Sequence, residues 1–287
     1  MPDAVTAARR PIDDAGPQPA ELEFAIALAA RAGEILMDRY ERLERIDYKS
    51  ARDIVTEADH LSEDLIIDAI RSYHPDDSIL AEESGEHRAK AGEAPTSGRG
   101  RVWVIDPLDG TVNYANGIPF FCVSIGLVVD GRPAVGVIHD PTRGETFAAT
   151  RDGPAMLTGA LGSPSRAVTA SDKDKLSDFV VSMALNGRAA TSRAQSVRKA
   201  VRITRSMGSA ALALAYVANG RFDAFIQQGG LSTWDIAAAG LIAERGGAAV
   251  TSLGGGPWFE IAAPTRTIGV LAAPPAHHPA LARLVQP

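Results

Sequence analysis

The chain has 287 residues, 45% of them hydrophobic, which is enough apolar material for one large domain or two domains that share a core. Its formal net charge of −6, without any local run of Lys and Arg, excludes nucleic-acid binding through a basic surface. No uninterrupted apolar segment is long enough to span a bilayer, and the first residues lack the apolar core of a signal peptide. We therefore expect a globular protein with neither a nucleic acid nor a membrane as its partner.

The single cysteine, Cys122, lies in an apolar run. One cysteine cannot form an internal disulfide, and in such a run it usually serves as a small buried hydrophobic side chain. The cysteine content therefore predicts a reducing, cytoplasmic location.

The first part of the chain predicts a leader followed by two helices. Residues 1–19 mix Ala, Pro, Asp and Arg without periodicity, and we predict a flexible leader outside the fold. Apolar residues recur at helical spacing over residues 21–44, and a second apolar stripe follows the polar stretch 49–59. Thr56 and Asp59 are suited to begin that second helix, so local considerations favour capping over catalysis for both.

Two acidic residues follow short apolar strands. Residues 78–81 predict a strand that ends at Glu82, and residues 102–105 predict a buried strand that ends at Asp106. Burying an ionised carboxylate is costly unless the group is paired, hydrogen-bonded or bound to a metal. We therefore expect each carboxylate to have a partner.

A third acid, Asp109, comes three residues after Asp106 and is followed by Gly110 and Thr111. Glycine permits a tight bend, so the two carboxylates can converge while the backbone N–H groups of Gly110 and Thr111 face an anion. A metal ion and a phosphate are the ligands that this arrangement favours.

The rest of the chain changes from antiparallel strands to alternating strands and helices. Antiparallel strands are predicted over 120–129, 134–138 and 145–149, whereas strands over 179–183, 202–204 and 222–226 alternate with helices over 192–200, 208–219 and from Asp235 onward. The best boundary lies within 153–165, and we predict an α+β half over 20–155 and an α/β half over 156–287 that share one extended core.

Asp235 begins an Ala-rich apolar helix, and helix capping alone is a sufficient local reason for an acid there. With Glu82, Asp106 and Asp109 it nevertheless makes a set of four carboxylates at the ends of apolar elements. A set without nearby cysteines or paired histidines suits a hard cation such as Mg²⁺ or Mn²⁺. The alternative is four unrelated caps.

The order of the motifs resembles that of the inositol monophosphatase family of Mg²⁺-dependent, lithium-sensitive phosphatases. The stretch WVIDPLDGTVNY at 103–114 is similar to the family's first signature, and WDIAA at 234–238 is similar to the second. Glu82-Glu83-Ser84 and DIVTEAD at 53–59 match the remaining elements. The resemblance runs from about Glu21 to the C-terminus, and it implies a layered αβαβα sandwich of α+β and α/β character and a homodimer.

The resemblance also implies a metal site with two or three ions. One ion would be held by Glu82, Asp106 and the carbonyl of Leu108, and another by Asp106, Asp109 and Asp235. A third, weaker Mg²⁺ would lie near Glu82, and Mn²⁺ is an alternative metal.

The same resemblance implies roles for residues around the metal site. Thr111 and Glu82 would orient the nucleophilic water, with Asp59 supporting Thr111. Asp109 and the amides of Gly110 and Thr111 would contact the substrate, whose phosphate the amides would hold. The supporting residues implied around this group are Lys49, Asp53 and Thr56.

On the alcohol side of the substrate, the resemblance implies contacts from Ser209, Ala210 and Gln227. The family carries a glutamate in the segment before the second signature, where this chain has FIQQGG at 225–230. An amide adds donors and removes the charge, so the preferred alcohol can differ from inositol.

The expected activity is Mg²⁺-dependent hydrolysis of a small polyol phosphate by direct attack of water, with myo-inositol 1-phosphate as the leading substrate. Histidinol phosphate and fructose 1,6-bisphosphate are alternatives within the same superfamily. A regulatory or binding protein on this fold is the alternative from another class. Loss of a metal carboxylate would favour that alternative, and all four carboxylates are present in this chain.

Overall fold

A computed structural model describes residues 19–42, 46–50, 53–89, 95–97, 99–159, 163–185 and 190–285. The side chains of 46, 48–50, 53, 54 and 95 are outside this description. Residues 1–18 of the leader predicted over 1–19, and the predicted side-chain roles of Lys49 and Asp53, therefore lie outside the described residues, whereas Pro19 begins the first helix.

Seven helices and fifteen strands occur within these ranges. The helices are α1 (Pro19–Arg39), α2 (Glu57–Tyr73), α3 (Thr111–Ala115), α4 (Thr191–Ala200), α5 (Ala210–Ala215), α6 (Thr233–Arg245) and α7 (His278–Val285). The strands are β1 (Ile46–Ser50), β2 (Asp53–Thr56), β3 (Ser78–Ala81), β4 (Gly85–His87), β5 (Arg101–Asp109), β6 (Cys122–Val129), β7 (Arg132–Asp140), β8 (Glu145–Thr150), β9 (Met156–Thr158), β10 (Arg166–Ala167), β11 (Val180–Ala184), β12 (Ile203–Arg205), β13 (Ala224–Leu231), β14 (Ala249–Ser252) and β15 (Ile268–Ala273).

Most of these strands form two sheets, and β1 and β2 form a separate antiparallel hairpin. The eight-stranded sheet has the order β10-β9-β8-β7-β6-β5-β3-β4 and is antiparallel except where β3 runs parallel to β5. The five-stranded sheet has the order β12-β11-β13-β15-β14, with β11 parallel to both of its neighbours. The predicted change from antiparallel pairing to an α/β pattern thus corresponds to two different sheets.

Helices cover both faces of each sheet. One core joins α1 and α2 to the eight-stranded sheet, a second joins α5 and α6 to both sheets, and a third joins α4 and α7 to the five-stranded sheet. The central strands β5 and β6 bury residues on both faces, because successive side chains point to opposite sides. The predicted αβαβα sandwich is confirmed.

Small residues allow α6 to lie directly on the eight-stranded sheet. A Cβ atom at Gly136 of β7 would lie 2.6 Å from the carbonyl oxygen of Ala238, and one at Gly126 of β6 would lie 3.2 Å from the Cβ of Ala237. Larger side chains would push the helix away from the strands. This close packing holds the first turn of α6, with Asp235, beside the end of β5.

Several elements differ from the sequence predictions. The first helix ends at Arg39 rather than near 44, and the helix predicted over 208–219 is α5 followed by a 3-10 turn at Tyr216–Asn219. Strands β9 and β10, which follow the predicted boundary at 155, pair with the first sheet. The division into halves stays a prediction.

Among the described residues, no helix is long and apolar enough to cross a membrane.

Candidate metal centre and active site

The structure brings Asp106, Asp109 and Asp235 together, with one carboxylate oxygen from each within 4.8 Å of the others. Residues three apart in a regular strand point to opposite faces of the sheet. Here the pairing of β5 with β6 is interrupted between Asp106 and Asp109, and this irregularity allows both carboxylates to face the same side. Asp106 and Asp109 are buried, and Asp235 is half-buried.

Burial and mutual repulsion dominate the electrostatics of this cluster. Burial, then the charges of Glu82, Asp109 and Asp235, raise the pKa of Asp106 well above its usual range. Burial, then the charge of Asp109, raise the pKa of Asp235 to about 8, although the positive charge of Arg266 lowers it in part. An all-oxygen cluster of like charges fits a hard divalent cation, which would displace protons on binding.

The Asp109 carboxylate is fixed by the beginning of α5. Its Oδ2 atom accepts hydrogen bonds from the hydroxyl of Ser209 at 2.5 Å and from the backbone N–H of Ala211 at 2.7 Å. The thiol of Cys122 lies 3.9 Å from the same oxygen. Ser209 and Ala210, predicted to contact the polyol, thus lie beside Asp109, and the Ser209 hydroxyl is committed to that carboxylate. Their contact with a polyol stays a prediction.

Glu82 lies at the edge of the cluster, beside Asp106. Its backbone N–H donates to the carbonyl of Ile105 at 3.2 Å, which ties the end of β3 to β5. Its half-buried side chain is within hydrogen-bonding reach of Asp106 and raises the pKa of that residue. The four predicted acids therefore converge, with Glu82 next to the three-carboxylate cluster.

Sequence reasoning missed Glu63, which positions the turn after Glu82. The buried Glu63 carboxylate accepts the backbone N–H groups of Glu83 and Ser84, both at 2.9 Å. Glu63 is four residues after Asp59 and so lies on the same face of α2. An acid at that spacing among the buried positions of the helix was the available signal.

Replacing Glu63 with Gln should weaken this turn, because an amide presents only one acceptor oxygen to the two N–H donors. We expect the phosphatase activity predicted from the sequence to fall about 10-fold and the free energy of unfolding to fall by about 1–3 kcal/mol. Phosphate release and thermal unfolding check both effects. The exposed neighbour Asp64→Asn is the matched control, and a Glu63→Gln protein with unchanged activity would show that the turn does not depend on this carboxylate.

Asp59 caps α2 and also reaches the site. Its Oδ2 atom accepts from the backbone N–H and the hydroxyl of Thr56 at 2.8 and 2.6 Å, and Thr56 is the N-cap of the helix. Its Oδ1 atom accepts from the Thr111 hydroxyl at 3.2 Å. The predicted capping is thus confirmed, and the second oxygen lets the same residue contact Thr111, while its support of catalysis stays a prediction. Burial raises the pKa of Asp59 to about 6.

Asp235 is likewise both a capping and a cluster residue. The N-cap of α6 is Ser232, and Asp235 occupies the third helical position, where its Oδ2 atom accepts the backbone N–H of Ser232 at 2.6 Å. Simple capping by Asp235 at the N-cap position is therefore incorrect. The reciprocal capping arrangement orients the carboxylate toward Asp106 and Asp109.

The turn after Asp109 requires a glycine. Gly110 has a φ of 103°, and a Cβ atom there would lie 3.1 Å from the carbonyl oxygen of Phe120 and 3.2 Å from the Cβ of Ser209. A larger residue would be strained and would crowd the α5 side of the site. Gly110 is followed at once by α3, which begins at Thr111.

A pocket of about 260 Å³ adjoins the carboxylates. Asp109 and Asp235 form one part of its lining, and Ser209, Ala210 and Gln227 are also among the residues that line it. The side chain of Gln228 instead accepts a hydrogen bond from Arg193 at 3.0 Å. Of the two glutamines, Gln227 is thus the one at the pocket, although its contact with a substrate stays a prediction.

Comparison with known proteins identifies the class. A match to the inositol monophosphatase family covers residues 19–287, so the chain belongs to this family. It is 37% identical over 245 residues to the Nus factor SuhB of Pasteurella multocida strain Pm70, covering 82% of this chain and 86% of that protein.

A second relative and a solved structure agree with this assignment. Fructose-1,6-bisphosphatase/inositol-1-monophosphatase of Thermotoga maritima is 33% identical over 235 residues, covering 82% of this chain and 85% of that protein. The crystal structure of the extragenic suppressor protein SuhB from Bartonella henselae aligns with a TM-score of 0.82 at 30% identity, covering 93% of this chain and 98% of that one. The family match and these relatives support the assignment of this chain as a phosphatase of this superfamily.

Proposed function

We propose that this protein is a Mg²⁺-dependent phosphomonoesterase that hydrolyses a small polyol phosphate, with myo-inositol 1-phosphate as the first candidate. The convergence of Asp106, Asp109 and Asp235 beside a pocket carries the proposal. Membership of the inositol monophosphatase family supports the reaction class. The proposal also includes a cytoplasmic location, assembly as a homodimer and inhibition of the activity by lithium.

The donor set of the site fits the metal. Glu82, Asp106 and the carbonyl of Leu108 would hold one ion, and Asp106, Asp109 and Asp235 would hold another, with a third ion near Glu82 and Mn²⁺ as the alternative. When bound, Mg²⁺ would lower the pKa of the attacking water and balance the charge of the phosphate. The burial and repulsion that raise the pKa values of the carboxylates in the metal-free protein are the physical reason for this fit.

The chain's own residues would orient the nucleophilic water. The Thr111 hydroxyl lies 3.2 Å from Asp59 and 3.0 Å from the carbonyl of Leu108, and it donates its one proton to one acceptor at a time. With that proton held by Asp59, the Leu108 carbonyl is released and the Thr111 oxygen can accept a hydrogen bond from the water. Glu82, whose carboxylate lies beside Asp106, would accept the one proton that the water loses as it attacks.

Backbone groups and supporting residues complete the proposed catalytic arrangement. The N–H groups of Gly110 and Thr111, together with Asp109, would contact the substrate, and the N–H groups would hold its phosphate. Direct attack by water then needs no phosphoenzyme. The residues proposed to support this group are Lys49, Asp53 and Thr56.

Gln227→Glu should shift selectivity toward inositol phosphates, because a carboxylate accepts hydrogen bonds from alcohol hydroxyls more strongly than an amide does. We expect the ratio of kcat/KM for inositol 1-phosphate to that for glycerol 2-phosphate to rise about 10-fold. Gln228→Glu is the matched control, since that side chain contacts Arg193 outside the pocket lining. An unchanged kcat/KM ratio in Gln227→Glu would exclude this residue from substrate recognition.

A substrate panel tests the proposed function. Phosphate release is measured from inositol 1-phosphate, histidinol phosphate, fructose 1,6-bisphosphate and adenosine 3′,5′-bisphosphate, each in Mg²⁺. The highest kcat/KM is expected for inositol 1-phosphate. A preference for histidinol phosphate or the sugar bisphosphate would instead assign the alternative activity within the superfamily.

The second candidate is a regulatory or binding role. A relative that is 37% identical carries the name Nus factor SuhB, and this observation favours such a role beside catalysis. The two functions are separable, since Asp106→Asn should remove turnover without altering the surface. Absence of phosphate release from every ester by a folded protein would favour the regulatory role.

A further inference from the structure

The floor of the 260 Å³ pocket is built by two adjacent parallel strands. Ser182 of β11 pairs with Phe225 of β13, and Ala184 pairs with Gln227 one step further along. Paired residues in neighbouring strands share a face of the sheet. All four residues line the pocket, so this face of the two strands is its floor.

The packing on either side of β11 shows which way Ser182 points. Val180 packs in the core that contains α5 and α6, whereas Val181 and Met183 pack in the core that contains α4 and α7. Because side chains alternate along a strand, Ser182 faces the same side as Val180. That is the α5 side, where Asp109 is held.

The Ser182 hydroxyl is available to a ligand. The residue is only 4% exposed, and within the described part of the chain its hydroxyl makes no hydrogen bond. The hydroxyl lines the pocket, so a ligand that displaces water from it leaves it without a partner unless the ligand supplies one. A ligand hydroxyl supplies that partner, since both hydroxyls can donate and accept.

The remaining lining limits the kind of alcohol. Apart from Asp109 and Asp235, the lining residues in the described ranges are uncharged. The volume of 260 Å³ is below the range of about 300–1,000 Å³ that holds drug-sized ligands. Among the described lining residues there is no positive side chain for a second phosphate, and the small volume disfavours a nucleoside.

We propose that Ser182 is a specificity-determining residue that hydrogen-bonds a hydroxyl of the substrate's alcohol portion, an uncharged polyol about the size of one six-membered ring. The inference rests on the proposed phosphatase function and adds the residue that distinguishes a hydroxylated ring from a bare one. A ring without hydroxyls would leave Ser182 buried and unpaired, and the enzyme would bind it less well.

A comparison of two substrates with two variants tests this role. Inositol 1-phosphate and cyclohexyl phosphate share a six-membered ring, but only the first carries ring hydroxyls. For Ser182→Ala we expect kcat/KM to fall about three- to tenfold with inositol 1-phosphate and to stay unchanged with cyclohexyl phosphate. Ser182→Cys, which is close in size but a weak donor, should give the same pattern. Ser196→Ala, an exposed serine of α4, is the control.

The possible outcomes distinguish the role of Ser182 from the proposed phosphatase function. An equal loss of kcat/KM on both esters would assign Ser182 a packing role, and no change on either would remove it from the substrate contact, so both would overturn the inference. Hydrolysis of cyclohexyl phosphate but no polyol phosphate would also overturn it while leaving a phosphatase. No Mg²⁺-dependent release from either ester by folded wild-type protein would overturn the proposed function and this inference together.

Discussion

Replacing Asp106 with Asn should lower Mg²⁺-dependent turnover by at least about 1,000-fold while the fold stays intact. Asp106 is the central carboxylate of the cluster, because its pKa is raised by Glu82, Asp109 and Asp235 together. The variant keeps the size of the side chain but removes one negative charge and one acceptor. It should therefore lose the ligand that both proposed ions share.

The same substitution should stabilise the protein in chelator, because burial and the neighbouring acids disfavour the ionised form of Asp106, a form that the amide cannot adopt. Phosphate release and thermal unfolding, each with Mg²⁺ and with chelator, measure both effects. Asp152→Asn, at an exposed position after β8, is the control for the chemical change alone. An Asp106→Asn protein with near-normal turnover would contradict the assignment of a shared ligand.

In the metal-free protein, stability should fall as the pH rises from about 5 to 8, and Asp235 should contribute strongly to the fall. Its pKa is about 8 in the folded state, against the ordinary 3.8. Between these values the folded protein holds a proton that the unfolded chain has released, so raising the pH favours unfolding. Each pKa unit corresponds to about 1.4 kcal/mol, so the midpoint of thermal unfolding should fall by about 5 °C or more.

Asp235→Asn should flatten this dependence, since the amide does not titrate and its oxygen can still accept the Ser232 N–H. At pH 8, Mg²⁺ should raise the unfolding midpoint of the wild type by more than that of the variant, because the variant keeps the ligands of one proposed ion and loses one ligand of the other. Thermal unfolding across the pH range in chelator, repeated with Mg²⁺, makes the comparison. Equal pH slopes for wild type and variant would show that Asp235 is not the titrating group.

Much of the site was predictable because its acids follow recognisable elements. The apolar run before Asp106 and the bend at Gly110 indicate a strand that ends in two converging carboxylates. In the structure the carboxylates of Asp106 and Asp109 do converge. The hairpin of β1 and β2 was missed because its strands have only five and four residues, too few for a periodic signal in a mostly polar stretch. Strands β14 and β15 and helix α7 also had no prediction.

Contacts between distant segments could not be predicted. The hydrogen bonds from Ser209 and Ala211 to Asp109 join residues about a hundred positions apart, and nothing in the local pattern of either segment indicates them. Treating capping and catalysis as alternatives was also misleading for Asp59 and Asp235. A carboxylate has two oxygens, so one can cap a helix while the other faces a second partner.

Phosphate release from inositol 1-phosphate by the wild-type protein in Mg²⁺, after chelation, and after Mg²⁺ is restored tests the central claim most directly. The proposed metal centre predicts turnover in Mg²⁺, almost none in chelator, and full recovery when the ion returns. Equal release in chelator, or no release under any of the three conditions from folded protein, would contradict it.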